Sequence, residues 1–245
     1  MYTFDSRIRY SECDHEGQLT LNGLLNYFQD CSTFQSEDLG AGVAHLKEQH
    51  LVWVLSYWQI EVERYPKLCE QVTVGTFPYE FKSFLGRRNF WMESQGQMIA
   101  RADSLWSLLN TETMKPTQAP EDLVGRYETQ PKLEMEYGSR KITVPEGGVE
   151  GTPLTVCRHH LDTNHHVNNG QYITIALSYL PEELSAGGIR RLRAEYRRQA
   201  FLNEVFYPYI VKNGNTVIIS LRDEEGKPYT NVEFTYESVA NVRRE

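Results

Sequence analysis

The chain has little of what covalent or metal-stapled folds are made from. Its four cysteines, Cys13, Cys31, Cys69 and Cys157, are scattered, with no CxxC pair. That argues against a disulfide framework and for reduced thiols. No apolar run approaches the roughly 20 residues needed to cross a bilayer. The amino-terminal stretch is charged from Asp5 onward and lacks the apolar core of a signal peptide, so the expected location is the cytoplasm. Basic charge is also short. Lys and Arg total 25 against 33 Asp and Glu, a net charge of −8, and nucleic acid is a poor partner for such a chain.

What is present is ordinary for a globular protein: 245 residues, 40% hydrophobic and 24% charged. This length suits one large domain or two of about 120 residues. A weak internal repeat favours two. Asp14–Tyr27 overlays Asp162–Ile175 without a gap, at an offset of 148 residues. Identity is almost nil, but both copies run from an acidic residue through a polar loop into a helical apolar period. Leu24, Tyr27, Phe28 and Cys31 carry the period in the first copy, and Tyr172, Ile175, Ala176 and Tyr179 in the second. Thr20 or Asn22 caps the first helix and Asn168 or Asn169 the second; Gly40 and Pro181 are their stops.

Strand-like segments follow each helix. The first half has Leu51–Tyr65, Gln71–Phe77, Gly86–Glu93 and Met98–Leu109; the second has Ile189–Arg198, Val205–Lys212, Thr216–Arg222 and Tyr229–Tyr236. Gln95-Gly96, Asn213-Gly214 and Glu225-Gly226 read as hairpin turns. The fold class predicted is α+β, one long helix and a mostly antiparallel sheet used twice. The expected boundaries are 1–125 and 152–245, with 126–151 as a polar surface linker. A single domain would explain the strand count but not the matched order of loop, helix and strands.

The stretch Cys157–Asn169 holds four of the seven histidines. One reading is a metal site, since thiolate and imidazole suit zinc. Against it, no second Cys/His cluster exists, and adjacent histidines in extended chain point apart. No metal or cofactor is therefore expected. The other reading is catalytic. In extended chain the i, i+2, i+4 spacing would throw Asp162, Asn164 and His166 to one side. A carboxylate, an amide and an imidazole there could supply a base, a donor and an orienting partner. The helix that follows would offer N–H groups to a developing oxyanion. The plainer alternative is that Asp162 and Asn164 close turns and His166 is half-buried.

Asp162-Thr163-Asn164-His165-His166-Val167-Asn168-Asn169, then Tyr172, resembles the D-x-N-x-H-V-N-N-x-x-Y motif of acyl-acyl-carrier-protein thioesterases. Ala194-Glu195-Tyr196-Arg197-Arg198 is similar to their E-Y-R-R strand. Arg9–Asp14, Trp53-Val54, Arg64-Tyr65-Pro66 and Val74–Phe77 fit in order and spacing, so the likeness runs from about residue 3 to 236. It implies a tandem double hot-dog, each long helix wrapped by its sheet, hydrolysing fatty acyl-carrier thioesters. It also implies that Asp162, Asn164 and His166 are catalytic. Plant members continue with Glu-Cys, whereas this chain has Gln199-Ala200. No cysteine nucleophile can act at 200, and Gln199 can orient water or substrate but cannot be a base.

In the overlay Glu16 and Gln18 stand where Asn164 and His166 stand in the second copy. The first half therefore lacks the imidazole. The resemblance implies that it shapes the acyl-chain pocket, with Leu24 and Phe28 as lining, although core packing explains either residue as well. Arg190, Arg191, Arg193, Arg197 and Arg198 form the densest basic run, read as a dock for an acidic carrier or as an exposed strand that happens to be basic. The expected partner is acyl carrier protein, with a homodimer left open. An acyl-CoA thioesterase, a hot-dog dehydratase and a non-catalytic acyl- or carrier-binding module are the competing readings.

Overall fold

Tyr2–Arg7 alternates partly buried and exposed side chains and forms a strand, β1, paired antiparallel with Gln71–Thr76 of a later strand. It was not among the expected elements, because six residues with charges in the exposed positions carry too weak a period to stand out. The computed structural model describes residues 1–162, 165–181, 184 and 188–237. The chain divides into two units, Met1–Tyr137 and Gly138–Glu245.

In the first unit β1 is followed by α1 (Leu21–Asp38), α2 (Val43–Glu48), β2 (Leu51–Val62), β3 (Gln71–Lys82), β4 (Leu85–Ser94), β5 (Gln97–Asn110), β6 (Lys115–Pro116) and α3 (Glu121–Val124). The sheet order is β1-β3-β4-β5-β2, all pairs antiparallel, with β6 on β5. Thr20 starts α1: its hydroxyl accepts the Gly23 N–H at 3.0 Å. The helix buries Leu24, Tyr27, Phe28 and Cys31, as its period requires. Phe28, Trp58 and Phe90 centre the core, with ring centroids 4.9–6.3 Å apart. Gln95 and Gly96, at φ +52 and +74, make the tight turn between β4 and β5.

The second unit repeats the plan with a shorter helix. It contains β7 (Val149–Glu150), β8 (Leu154–Thr155), α4 (Asn169–Leu177), β9 (Ile189–Tyr196), β10 (Val205–Asn213), β11 (Thr216–Arg222) and β12 (Pro228–Tyr236). The order β9-β12-β11-β10-β7 matches β2-β5-β4-β3-β1 strand for strand, and β8 also pairs with β10. Asn168 is the cap of α4, its side chain accepting the Gly170 N–H at 2.8 Å. Each unit is thus a helix against an antiparallel sheet, the hot-dog arrangement in tandem. Among the described residues no helix is long and apolar enough to cross a membrane.

The segment 126–151 contains the division between the units and is docked on both sides of it. In the first unit, Asn89 Oδ1 accepts the Leu133 N–H and the Tyr137 hydroxyl, each at 3.0 Å, and Gln59 donates to the Glu136 carbonyl. In the second, Ile142 is 3% exposed, packs with Val211 and Ile218, and donates its N–H to Glu195 Oε2 at 3.0 Å. These polar anchors are single groups on buried polar side chains of the sheets, which leave no periodic trace in sequence.

Candidate functional site

Asp162 and His166 close a tight loop. The Asp162 N–H donates to the His166 carbonyl at 2.9 Å, and the His165 N–H donates to the Asp162 carbonyl at 3.1 Å. His165 lies at φ +63, so the chain reverses here. This corrects the extended-chain geometry expected from the spacing. Asp162 and His166 meet as the two ends of a turn, not as alternate residues of a strand. Asn164 and Thr163 lie outside the described residues. His165 is exposed, whereas Asp162 and His166 are partly buried.

His166 Nδ1 is 3.4 Å from Asp162 Oδ2, with side chains 22% and 21% exposed. The distance is that of an ion pair, but the alignment is too poor for a hydrogen bond, and Nδ1 is otherwise buried without a partner. A small rotation of either side chain would make the bond. The pair therefore reaches solvent while holding one nitrogen ready for the carboxylate, which leaves the other for a water or a substrate atom.

The loop sits directly before α4. Its first turn is less open than the sequence suggests, because Asn168 takes two of the N–H groups: Gly170's on its side chain at 2.8 Å and Gln171's on its carbonyl at 2.9 Å. Among the described residues the N–H of Asn169, the first residue of α4, has no such partner. On the other side runs 198–201. The Val167 N–H donates to the Ala200 carbonyl at 2.9 Å, and His166 bridges to Phe201. Gln199, partly buried, is thereby placed in the segment lying alongside the loop. Two residues outside the expected set hold this assembly. The Tyr172 hydroxyl accepts the Ala200 N–H at 2.8 Å, and the Tyr196 hydroxyl donates to the Asn169 carbonyl at 3.0 Å. Burial pushes both phenols well above their usual range, so both stay protonated.

The remaining histidines of the cluster turn elsewhere. His160, buried, accepts the Cys157 N–H on Nδ1 at 3.0 Å. Burial, then the neighbouring His159, hold it below the usual imidazole range. Cys157 Sγ donates to the Thr155 carbonyl. Among the described residues no group of three or more His, Cys, Asp or Glu is arranged to hold a metal ion.

Of the five arginines, Arg191 and Arg193 share one face of β9, and Arg190 lies where the pairing with β12 shifts register. Each of the five has a carboxylate within reach: Arg190 with Glu237, Arg191 and Arg193 with Glu233, Arg197 with Glu195, Arg198 with Asp223. Arg193 is only 13% exposed at its side chain, whereas Arg197 and Arg198 are 45% and 43%. Leu24 and Phe28 lie in the first unit's core at 1% and 0% exposure.

The offset of 148 residues seen in sequence is kept in three dimensions. Short helical turns at Tyr10–Glu12 and Arg158–His160 precede the two loops, and α1 and α4 begin at matching positions. Asp14 N–H donates to the Gln18 carbonyl at 2.8 Å and Gly17 N–H to the Asp14 carbonyl at 3.1 Å, the same closure as in the second loop. Cys13 bridges Leu19 as Leu161 bridges Val167. In the first loop Asp14 Oδ1 is occupied by the N–H groups of Glu16 and Gln18. The same loop is built twice, and the residue that closes it is Gln18 in the first and His166 in the second.

Tandem helix-and-sheet units, one with a carboxylate–imidazole pair at its helix start, define a double hot-dog protein with one candidate active site among the described residues. The chain belongs to the acyl-ACP thioesterase family: the family's N-terminal domain matches residues 1–127 and its C-terminal domain residues 147–236. It is 28% identical over 207 residues to a chloroplastic acyl-[acyl-carrier-protein] hydrolase of Cuphea viscosissima, covering 78% of this chain and 50% of that protein. A chloroplastic oleoyl-acyl carrier protein thioesterase of Coriandrum sativum is 26% identical, with 76% of this chain and 56% of that one covered. The chain thus spans about half the length of the curated relatives it matches. Among solved structures, an acyl-ACP thioesterase from Bacteroides thetaiotaomicron superposes with a TM-score of 0.87 at 26% identity, over 96% of this chain and 97% of that one. The 12:0-ACP thioesterase from Umbellularia californica gives 0.84 at 20% identity, over 96% of each.

Proposed function

We propose that this chain hydrolyses the thioester between a fatty acid and the phosphopantetheine thiol of acyl carrier protein, releasing free fatty acid and the carrier. The observation that carries the reading is the doubled loop. Because the first copy closes with Gln18 at the matching position, the imidazole of His166 is not needed to build the loop, and a chemical role accounts for it. Thiolate leaves readily, so the work is to activate water and to stabilise the oxyanion. Asp162 and His166 activate the water, or Asp162 attacks directly. Asn164 donates to the substrate or the water, and the Asn169 N–H adds to the oxyanion's donors. Gln199, which does not titrate, orients.

In this reading 152–245 is the catalytic domain and 1–125 the domain that shapes the acyl-chain pocket, with the cytoplasm as the place of action. The apolar face of α1, Leu24 and Phe28 included, is the wall proposed for the chain. Both are fully packed, Phe28 against Trp58 and Phe90, so a chain seated there displaces packed side chains. Arg197 and Arg198, the most exposed of the basic run, are proposed to meet the acidic carrier. The test is release of free thiol from acyl-carrier substrates of several chain lengths, beside matched acyl-CoA. Absence of turnover on every carrier substrate refutes the reading.

A further inference from the structure

Gln199 is bracketed by a single phenol. The Tyr172 hydroxyl accepts the Ala200 N–H at 2.8 Å and reaches the Arg198 carbonyl at 3.4 Å. The two peptide groups that flank Gln199 are therefore both tied to one oxygen, which projects from α4. Ala200 in turn ties back to the loop through Val167. Tyr172 itself is 2% exposed and wedged against the rings of Tyr196 and Phe206, at centroid distances of 5.9 and 5.7 Å. Its oxygen is well fixed.

The first unit provides a control. There Leu19 N–H donates to the Pro66 carbonyl at 2.8 Å, as Val167 does to Ala200, and Gln18 bridges Lys67 as His166 bridges Phe201. Lys67 N–H binds the Glu70 carboxylate at 2.9 Å, as Phe201 N–H binds that of Glu204 at 2.8 Å. Arg64–Lys67 is thus the counterpart of Arg198–Phe201. Where the second unit has Tyr172, the first has Leu24. Where the second has Ala200 with an N–H to satisfy, the first has Pro66, which has none. The crossing of loop and segment is built equally well without a phenol. Among the described residues the clasp occurs only in the half that carries His166.

From this we infer that Tyr172 is a positioning residue, holding the backbone at Gln199 so that its carboxamide meets the reacting thioester or water beside His166. The inference rests on the thioesterase reading. A phenol that merely satisfied a buried N–H would be dispensable once that N–H was removed. One that sets the place of Gln199 would not.

Three variants separate the two roles: Tyr172→Phe, Tyr172→Phe with Ala200→Pro, and Tyr172→Phe in a Gln199→Ala background. Tyr172→Phe is expected to lower the Tm and to reduce kcat about tenfold or more, with KM within about twofold. Adding Ala200→Pro copies the first unit's solution and restores the Tm while kcat stays low. In the Gln199→Ala background the phenol's removal costs no further activity, because its effect passes through that side chain. A kcat that recovers together with the Tm, or an equal loss in both backgrounds, overturns the inference while leaving thioesterase activity standing. Wild-type protein that releases no thiol refutes both.

Discussion

Gly17 and His165 occupy the same corner of two loops. Each donates its N–H to the carbonyl of the aspartate three residues earlier, at 3.1 Å, and each lies at positive φ, +74 and +63. Glycine adopts that conformation freely, whereas a residue with a Cβ is strained there by roughly 1 kcal/mol. The His165 side chain is exposed. His165→Gly should therefore raise the denaturation free energy by about 1 kcal/mol, a figure of that strain's size, and leave turnover nearly unchanged. Denaturant titration reads the first and thiol release the second. A loss of stability would mean that the ring makes a contact worth more than the strain.

Gln199 stands where plant members have an acid. If it only orients, Gln199→Glu keeps activity within roughly tenfold and adds an ionisation to the pH profile. Complete inactivation would mean that a neutral amide is required.

Asp103, at 2% exposure, offers a pH test of the first unit. It accepts the Tyr79 hydroxyl at 2.8 Å and has Arg87 at 3.8 Å, with Lys132 nearby. Burial outweighs these partners and raises its pKa to about 6. The folded value lies above the unfolded one of about 3.9. The stability contributed by proton binding is thus full below pH ~4 and lost as pH rises through about 6. Relative to Asp103→Asn, which cannot ionise, the wild type should lose about 3 kcal/mol over that interval. Parallel stability curves for the two proteins from pH 4 to 7 would place Asp103 in a better-solvated site than its burial indicates.

For the carrier surface, Arg197 and Arg198 predict a split by substrate. Changing both to Ala should raise KM for acyl-carrier substrate several-fold, weaken its salt dependence, and leave a small thioester unaffected. The same change in KM for both substrates would assign the two arginines to local ion pairing with Glu195 and Asp223.

Much of the fold was legible because its signals are periodic. The apolar spacing of α1 and the strand-like runs of β2 to β5 and β9 to β12 place those elements within a few residues. Fixed-offset cues such as Thr20, Asn168 and Gln95-Gly96 mark their ends. What was not legible depends on single contacts between distant residues. The docking of Leu133 and Tyr137 on Asn89, and of Ile142 on Glu195, has no local pattern. The site was legible as residues but not as geometry. Spacing alone suggested an extended segment, whereas the left-handed His165 folds it into a turn, and only the overlay with Gly17 could have signalled that. Tyr172 and Ala200 become meaningful once Leu24 and Pro66 are seen in their places.

The most direct test of the account replaces His166 by the residue its own twin carries. His166→Gln should fold with a Tm close to wild type, because Gln18 already closes the same loop, while kcat on acyl-carrier substrate falls at least about 10²-fold. Asp162→Asn should lose as much. Near-normal turnover in a folded His166→Gln protein would contradict the assignment of the chemistry to this imidazole.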